Sequence, residues 1–224
     1  MTEGEIRFME GFKIGEMTVQ PGTPLLNSGA SSPQLFTVME GFGIRFKLLE
    51  DGRRQVLSFV FPGDFIGLQA GVMSELDHCI EATSSMKLCV FNRNDLWSLY
   101  KTHPKRAYDL TWITAAEERF LGEALVAIGQ KSAIESVAWA LSRVFRRLRA
   151  VELGTEVSVP FPYRQQDLAD ALGLSLVHTN KTLAKLRERQ IAQWSDGHLT
   201  ISNVEELERM GLVEDAAPLL RPII

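Results

Sequence analysis

Cysteine is nearly missing from this chain: Cys79 and Cys89 are the only two, ten positions apart, with no CxxC pair and no ligand cluster beside them. That count excludes a disulfide framework and a four-cysteine metal site. Two reduced, mostly buried thiols are expected instead. Long hydrophobic runs are missing too. No stretch reaches the roughly 18 apolar residues of a membrane-spanning helix, and the acidic start of the chain carries no secretory signal pattern. The expectation is a cytoplasmic protein with no membrane partner. Positive charge is not in excess, since 24 Lys and Arg face 28 Asp and Glu, for a net charge of −4 and a pI of about 5.7. Indiscriminate polyanion binding is therefore excluded, but a local basic patch is not. Catalytic patterns are also lacking. His78, His103, His178 and His198 form no cluster, no Ser/His/Asp spacing or metal-ligand motif appears, and GFGIRF (41–46) lies on a strand rather than at a strand–helix turn. An enzyme is not expected, and neither a cofactor nor a metal is identified.

What is present is a globular composition. The chain is 45% hydrophobic and 23% charged over 224 residues, enough for one large domain or two small ones. Residues 12–98 read as short strands punctuated by Pro21-Gly22, Asn27-Ser28-Gly29, Glu40-Gly41, Asp51-Gly52 and Pro62-Gly63-Asp64. That spacing suits an antiparallel sandwich or barrel. FGIRFKLLEDGRRQVLSFV is the clearest hairpin, with strands near 42–49 and 54–60 around Asp51-Gly52. Residues 105–150 read as helical. Leu110, Ile113, Ala116, Phe120, Leu121, Ala124, Leu125 and Ile128 recur at helical spacing. This stripe can pack on its own domain or pair with the same helix of a second subunit. Gly129 is expected to break the helix, and Ser132 with Glu135 has the spacing of a capping box that opens another. No internal repeat or low-complexity tract follows, and the tail APLLRPII (217–224) has no reading.

The third segment carries the sharpest pattern. A helix near 164–171, burying Leu168 and Ala171, leads through Leu172-Gly173-Leu174 to a second helix capped by Ser175. In the second helix Thr179, Leu183 and Leu186 face inward, leaving Val177, His178, Asn180 and Lys181 outside. Over 175–190, Lys181, Lys185, Arg187 and Arg189 face one acid, Glu188, so the local charge is 4 − 1 = +3. A helix start with free N–H groups, an amide and cations is suited to a phosphate and to the major groove. A hairpin turning at Asp196-Gly197, with His198 at its tip, follows like a wing, and NVEELERMG reads as a last short helix.

This order resembles the CRP/FNR superfamily, that of the cAMP receptor protein and the fumarate–nitrate reduction regulator. The resemblance covers residues 12–205. It is carried by LFTVMEG (35–41), EDGRRQVLSFVFPGDFIG (50–67) and YRQQDLADALGLSLVHTNKTLAKLRERQIAQ (163–193). It implies an α+β chain: an N-terminal antiparallel β-roll like a cyclic-nucleotide-binding domain (1–104), a long dimerisation helix (105–130) and a C-terminal winged helix-turn-helix (131–224). The implied function is a homodimeric transcription regulator that binds double-stranded DNA at a palindrome and works with RNA polymerase. Its base-reading positions fall on Val177, Asn180 and Lys181, with His178 exposed between them. Arg164, Ser175 and Lys185 fall at phosphate contacts. The helix carrying Leu110, Ile113, Phe120, Leu121, Leu125 and Ile128 becomes the dimer interface. The family often has Glu where Val177 stands and Arg where Lys181 stands, and Tyr163 replaces the usual Thr or Ser helix cap.

The effector does not follow from the resemblance. The family's effector segment falls on Gly67, Leu68 and Gln69. Cyclic-nucleotide binders carry Glu at the position of Leu68 and an Arg further along, but residues 68–92 hold no arginine, and an anion buried without a cation is costly. The iron–sulfur members need four cysteines, and the haem members carry Cys and His where this chain has Gly67 and Gln69. His78 beside Cys79 resembles a ligand pair, against which stands an exposed loop histidine next to a strand cysteine. Two other functions stay open: a small-molecule sensor with a degenerate DNA-binding domain, and a cyclic-nucleotide-responsive regulator with a non-standard pocket.

Overall fold

Apolar residues alternating with turn-forming ones build an antiparallel roll in the first half of the chain. The computed structural model describes residues 3–213 and 222. They fold as two units, 3–117 and 118–213. The first opens with α1 (Glu3–Phe12), followed by β1 (Lys13–Val19), β2 (Pro24–Leu26), β3 (Gln34–Glu40), β4 (Gly43–Leu48), β5 (Arg54–Val60) and β6 (Phe65–Ile66). A short α2 (Leu68–Met73) precedes β7 (Cys79–Ala82) and β8 (Met86–Asn92), and a 3-10 turn (Arg93–Asp95) leads into α3 (Leu96–Thr102). The strands form two four-stranded sheets, ordered β1-β8-β3-β6 and β2-β7-β4-β5, antiparallel throughout. The β4–β5 hairpin forms as the sequence indicates, with Gly52 at a φ of 84°.

The roll encloses Val38, Val60, Ile66, Ile80, Ala82, Met86 and Leu88. A second apolar cluster, with Phe12, Leu35, Phe65, Phe91, Leu96 and Leu99, lies on the other side of β3. β3 is therefore buried on both faces, which is why it reads LFTV rather than apolar–polar–apolar. The short helices α2 and α3 fall in or beside the stretch that reads as strands. Each is too short to show a helical period.

The long helix α4 (Pro104–Gln130) runs through Gly122 and Gly129. Gly129 thus does not break it. An interior glycine costs only about 1 kcal/mol relative to alanine, and the stop comes at Lys131 and Ser132. Ser132 opens α5 (Ala133–Ala150), its N–H donating to Glu135 Oε2 at 2.7 Å. That bond and the Ser132 side chain hold the Glu135 carboxyl below its ordinary pKa.

The apolar stripe of α4 divides. Leu110 joins the second core cluster at 0% exposure and Ile113 is also buried, so the structure removes both from the expected dimer interface. Phe120 is half-buried and stacks on Trp139 of α5, with ring centroids 5.9 Å apart, so it too is engaged within the chain. Leu121, Leu125 and Ile128 are exposed, Leu125 at 72%, and the exposed Val126 joins them.

The second unit continues with β9 (Ser158–Pro160), α6 (Gln165–Leu172), α7 (Leu176–Glu188), β10 (Ala192–Ser195), β11 (His198–Ile201) and α8 (Val204–Met210). Its sheet is ordered β10-β11-β9. Apart from Pro222, the tail 217–224 lies outside the described residues. Among the described residues no helix is long and apolar enough to cross a membrane.

Candidate nucleic-acid interface

Two helices and a tight turn set the geometry. α6 buries Leu168, Ala169 and Leu172, with Ala171 only half-buried. Gly173 then takes a φ of 65°, a left-handed conformation that glycine adopts without penalty. The Leu174 N–H donates to Ala169 O at 3.0 Å and closes the helix end. Ser175 caps α7 as its residue type suggests: its Oγ accepts the His178 N–H at 3.2 Å. The other first-turn N–H groups of α7 have no acceptor within the helix and face the N-terminal end.

The buried face of α7 is Thr179, Thr182 and Leu186, with Leu183 half-buried. Two threonines are tolerated there because each hydroxyl donates back along the helix. Thr179 Oγ1 reaches Ser175 O at 3.1 Å, and Thr182 Oγ1 reaches His178 O at 2.9 Å. Thr182 has no apolar signature, so its burial is not visible in the sequence. At about 100° per residue, Val177, His178, Asn180, Lys181 and Lys185 occupy the opposite arc, and all five are exposed. Val177 is 65% exposed, unusual for an aliphatic residue on a folded helix.

The charges on this face are uncommitted. Elsewhere among the described residues many arginines and lysines are paired, as in Arg146 with Glu208 at 2.7 Å and Arg149 with Glu156 at 2.6 Å. Among the described residues, Lys181, Lys185, Arg187 and Arg189 form no ion pair. Arg164 differs. It is the residue that caps α6, and its Nη2 lies 3.0 Å from Oδ1 of the buried Asp167, which also accepts the Arg164 N–H at 2.9 Å. Most of the Arg164 side chain still faces solvent. Tyr163 therefore does not stand at the cap. It precedes it, buried, with its ring 5.0 Å from Phe161, which explains why neither Ser nor Thr is needed there.

The wing is a two-residue hairpin. Ser195 pairs with His198, and Asp196 and Gly197 both have positive φ, 51° and 71°. That geometry matches the twist of the flanking strands. Trp194 anchors the hairpin by donating Nε1–H to Phe161 O at 3.0 Å. His198 lies exposed directly after the turn.

The expected effector residues are otherwise engaged. Gly67 precedes α2 with a φ of 92°. Leu68 packs on the Phe12–Leu110 cluster rather than on the cluster inside the roll, and Gln69 Oε1 accepts the Asp77 N–H at 3.0 Å. His78 is not the exposed loop residue that its turn-rich surroundings suggest. It is buried, with Nδ1 3.0 Å from Asp77 Oδ1. Cys79 and Cys89 are both free thiols and half-buried.

An antiparallel roll, a long helix and a winged helix-turn-helix with an unpaired basic face define a two-module DNA-binding protein. Comparison with known proteins narrows the class. Residues 16–103 match the cyclic nucleotide-binding domain and residues 137–210 the Crp-like helix-turn-helix domain. The nitrogen fixation regulation protein FixK of Rhizobium meliloti is 30% identical over 179 residues, covering 80% of this chain and 78% of that protein. The transcriptional activatory protein AadR of Rhodopseudomonas palustris is 29% identical over 178 residues, covering 79% and 73%. The structure of FixK2 from Bradyrhizobium japonicum superposes with a TM-score of 0.76 at 24% identity, covering 92% and 98%. The chain belongs to the CRP/FNR family.

Proposed function

We propose that this chain is a homodimeric transcription regulator that reads a palindromic DNA site through α7. The observation that carries the reading is the exposed, unpaired face of Val177, His178, Asn180 and Lys181 at the N-terminal end of a capped second helix, continued by Lys185 in its last turn. Asn180 has the donor and acceptor to pair with adenine, Lys181 can donate to guanine, and Val177 can touch a thymine methyl. Arg164, Ser175 and Lys185 supply phosphate contacts, and the wing with His198 adds a backbone contact. Leu121, Leu125 and Ile128, exposed on α4, form the dimer seam, so the two α7 helices lie about one helical turn apart, ~34 Å. In this reading 1–104 is the sensor, 105–130 the dimerisation helix and 131–224 the DNA-binding domain. It works in the cytoplasm with RNA polymerase as its partner, and it is not an enzyme.

The roll is not read as a cyclic-nucleotide site. Leu68 stands where the resemblance requires Glu, and residues 68–92 hold no arginine. The reading is tested by titrating the full chain with its selected DNA site at several salt concentrations. Affinity should fall steeply with salt, with a slope of roughly −0.9 per neutralised phosphate. Lys181→Ala should weaken specific binding by about 1–3 kcal/mol. A flat salt dependence, or a Lys181→Ala protein that binds as wild type does, contradicts it.

A further inference from the structure

A cation does stand on the inner side of the roll, and it comes from β4 rather than from residues 68–92. Antiparallel pairing sets Arg45 opposite Ile80 of β7 and Ser58 of β5, and Gly43 opposite Ala82 and Val60. Directly paired residues project to the same side of a sheet, and Val60, Ile80 and Ala82 belong to the enclosed cluster. The Arg45 side chain is 17% exposed and its Nη1 donates to Glu117 Oε2 of α4 at 2.9 Å. Its Nε is fully buried and has no acceptor among the described residues. His78 is also buried, and the charges of both Arg45 and Glu117 act on it. Burial, then the Arg45 charge, lowers its pKa, while the Asp77 hydrogen bond and the charges of Asp77 and Glu117 oppose the shift. Lys47 in turn binds Asp77 at 2.8 Å.

The two partners of the ion pair are not equivalent. The Glu117 side chain is twice as exposed as that of Arg45 and sits on a helix surface, so it can turn to water. The Arg45 side chain is more enclosed, and a largely buried guanidinium left without an anion is disfavoured. Its fork presents several donors in one plane, the geometry that takes a carboxylate or a phosphate through two parallel bonds. Glu117 fills one donor and leaves the buried Nε empty.

We propose that Arg45 is an anion-binding residue held closed by Glu117, and that a small oxyanion, carboxylate or phosphate, exchanges with the Glu117 carboxylate on the Arg45 fork. The exchange releases Glu117 of α4. The proposal rests on the reading of the first unit as a sensor and does not depend on DNA binding, whose failure is read separately from the salt titration.

The test is thermal unfolding of the full chain in sodium phosphate, sodium acetate or cyclic AMP, each against sodium chloride at the same ionic strength. Glu117→Gln should respond to phosphate or acetate at concentrations at least about tenfold lower than wild type, because the internal competitor is gone. The double variant Arg45→Gln/Glu117→Gln should lose that response, although it keeps the basic face of α7 and any general effect of phosphate on stability. Glu117→Asp, which keeps the charge but shortens the reach, should fall between wild type and Glu117→Gln and decides the question if Glu117→Gln does not fold. A response to phosphate but not acetate assigns a phosphate ligand, the reverse assigns a carboxylate, and a response to cyclic AMP alone overturns the small-anion assignment. Equal responses of wild type and the Glu117 variants, or a double variant that responds as Glu117→Gln does, overturn the site itself.

Discussion

At the scale of single residues, the proposed reading face includes an aliphatic side chain at Val177. Valine offers only methyl groups, whereas a glutamate accepts from cytosine N4. Val177→Glu should therefore move the preference at one base pair of each half-site toward cytosine, by about 1–3 kcal/mol. Binding to operators varied at single positions measures this, and an unchanged preference removes 177 from the reading face. His78 carries a pH signature. Its pKa is lowered in the folded chain from the ordinary 6.5, through burial first and the Arg45 charge second. The unfolded chain then binds the proton more readily. The contribution of His78 to stability is complete above pH 6.5 and is lost as pH falls below that value. Unfolding midpoints between pH 7.5 and 5.5 should fall in wild type and fall less in His78→Gln. The exposed residues of α7 were legible because helical period and residue type agree. The burial of His78 and Thr182 was not, because polar residues bury only where a local acceptor satisfies them, here the Asp77 carboxylate and the His178 carbonyl, and residue type alone does not reveal it.

At the scale of elements, close approach of backbones limits what the second unit tolerates. A Cβ on Gly211, just after α8, would sit 2.6 Å from the Trp139 N of α5. The same junction holds Lys131, whose Nζ donates to Gly211 O at 2.6 Å. Gly211→Ala should destabilise the chain by about 1–3 kcal/mol through overpacking, read as a lower urea midpoint. On α4, Leu125→Glu places a charge in the exposed seam of Leu121, Leu125 and Ile128. It should shift sedimentation from dimer to monomer and lower DNA affinity with it. A dimer that persists places the seam elsewhere. The stripe was legible as apolar but not as divided. Helical spacing does not say that Leu110 meets Phe12 and Leu35 while Leu125 meets solvent. The hairpins at Asp51-Gly52 and Asp196-Gly197 were legible because the turn residues themselves specify positive φ. α2 and α3, of six and seven residues, offered no comparable signal.

At the scale of the whole molecule, a net charge of −4 coexists with an exposed basic face on α7 because the basic residues are distributed unevenly in their pairing. Among the described residues many lie beside acids, as Arg146 and Arg149 do, whereas Lys181, Lys185 and Arg187 on α7 form no ion pair. Net charge thus describes solubility and long-range repulsion, while the local field describes the partner. The order of roll, long helix and winged helix-turn-helix was legible in full, because each module has its own period and turn chemistry. The inner face of the roll was legible only in part: the lack of arginine in 68–92 is visible in the sequence, while the placement of Arg45 opposite Ile80 depends on sheet register. The most direct test of the central claim is selection of bound DNA from a random pool by the purified full chain, with no effector added, at near-physiological salt. Enrichment of a two-fold symmetric site with half-sites about one helical turn apart, lost in Asn180→Ala/Lys181→Ala, is the expected result. A pool that stays random, or the same site recovered by the double variant, contradicts the assignment of α7 as the helix that reads DNA.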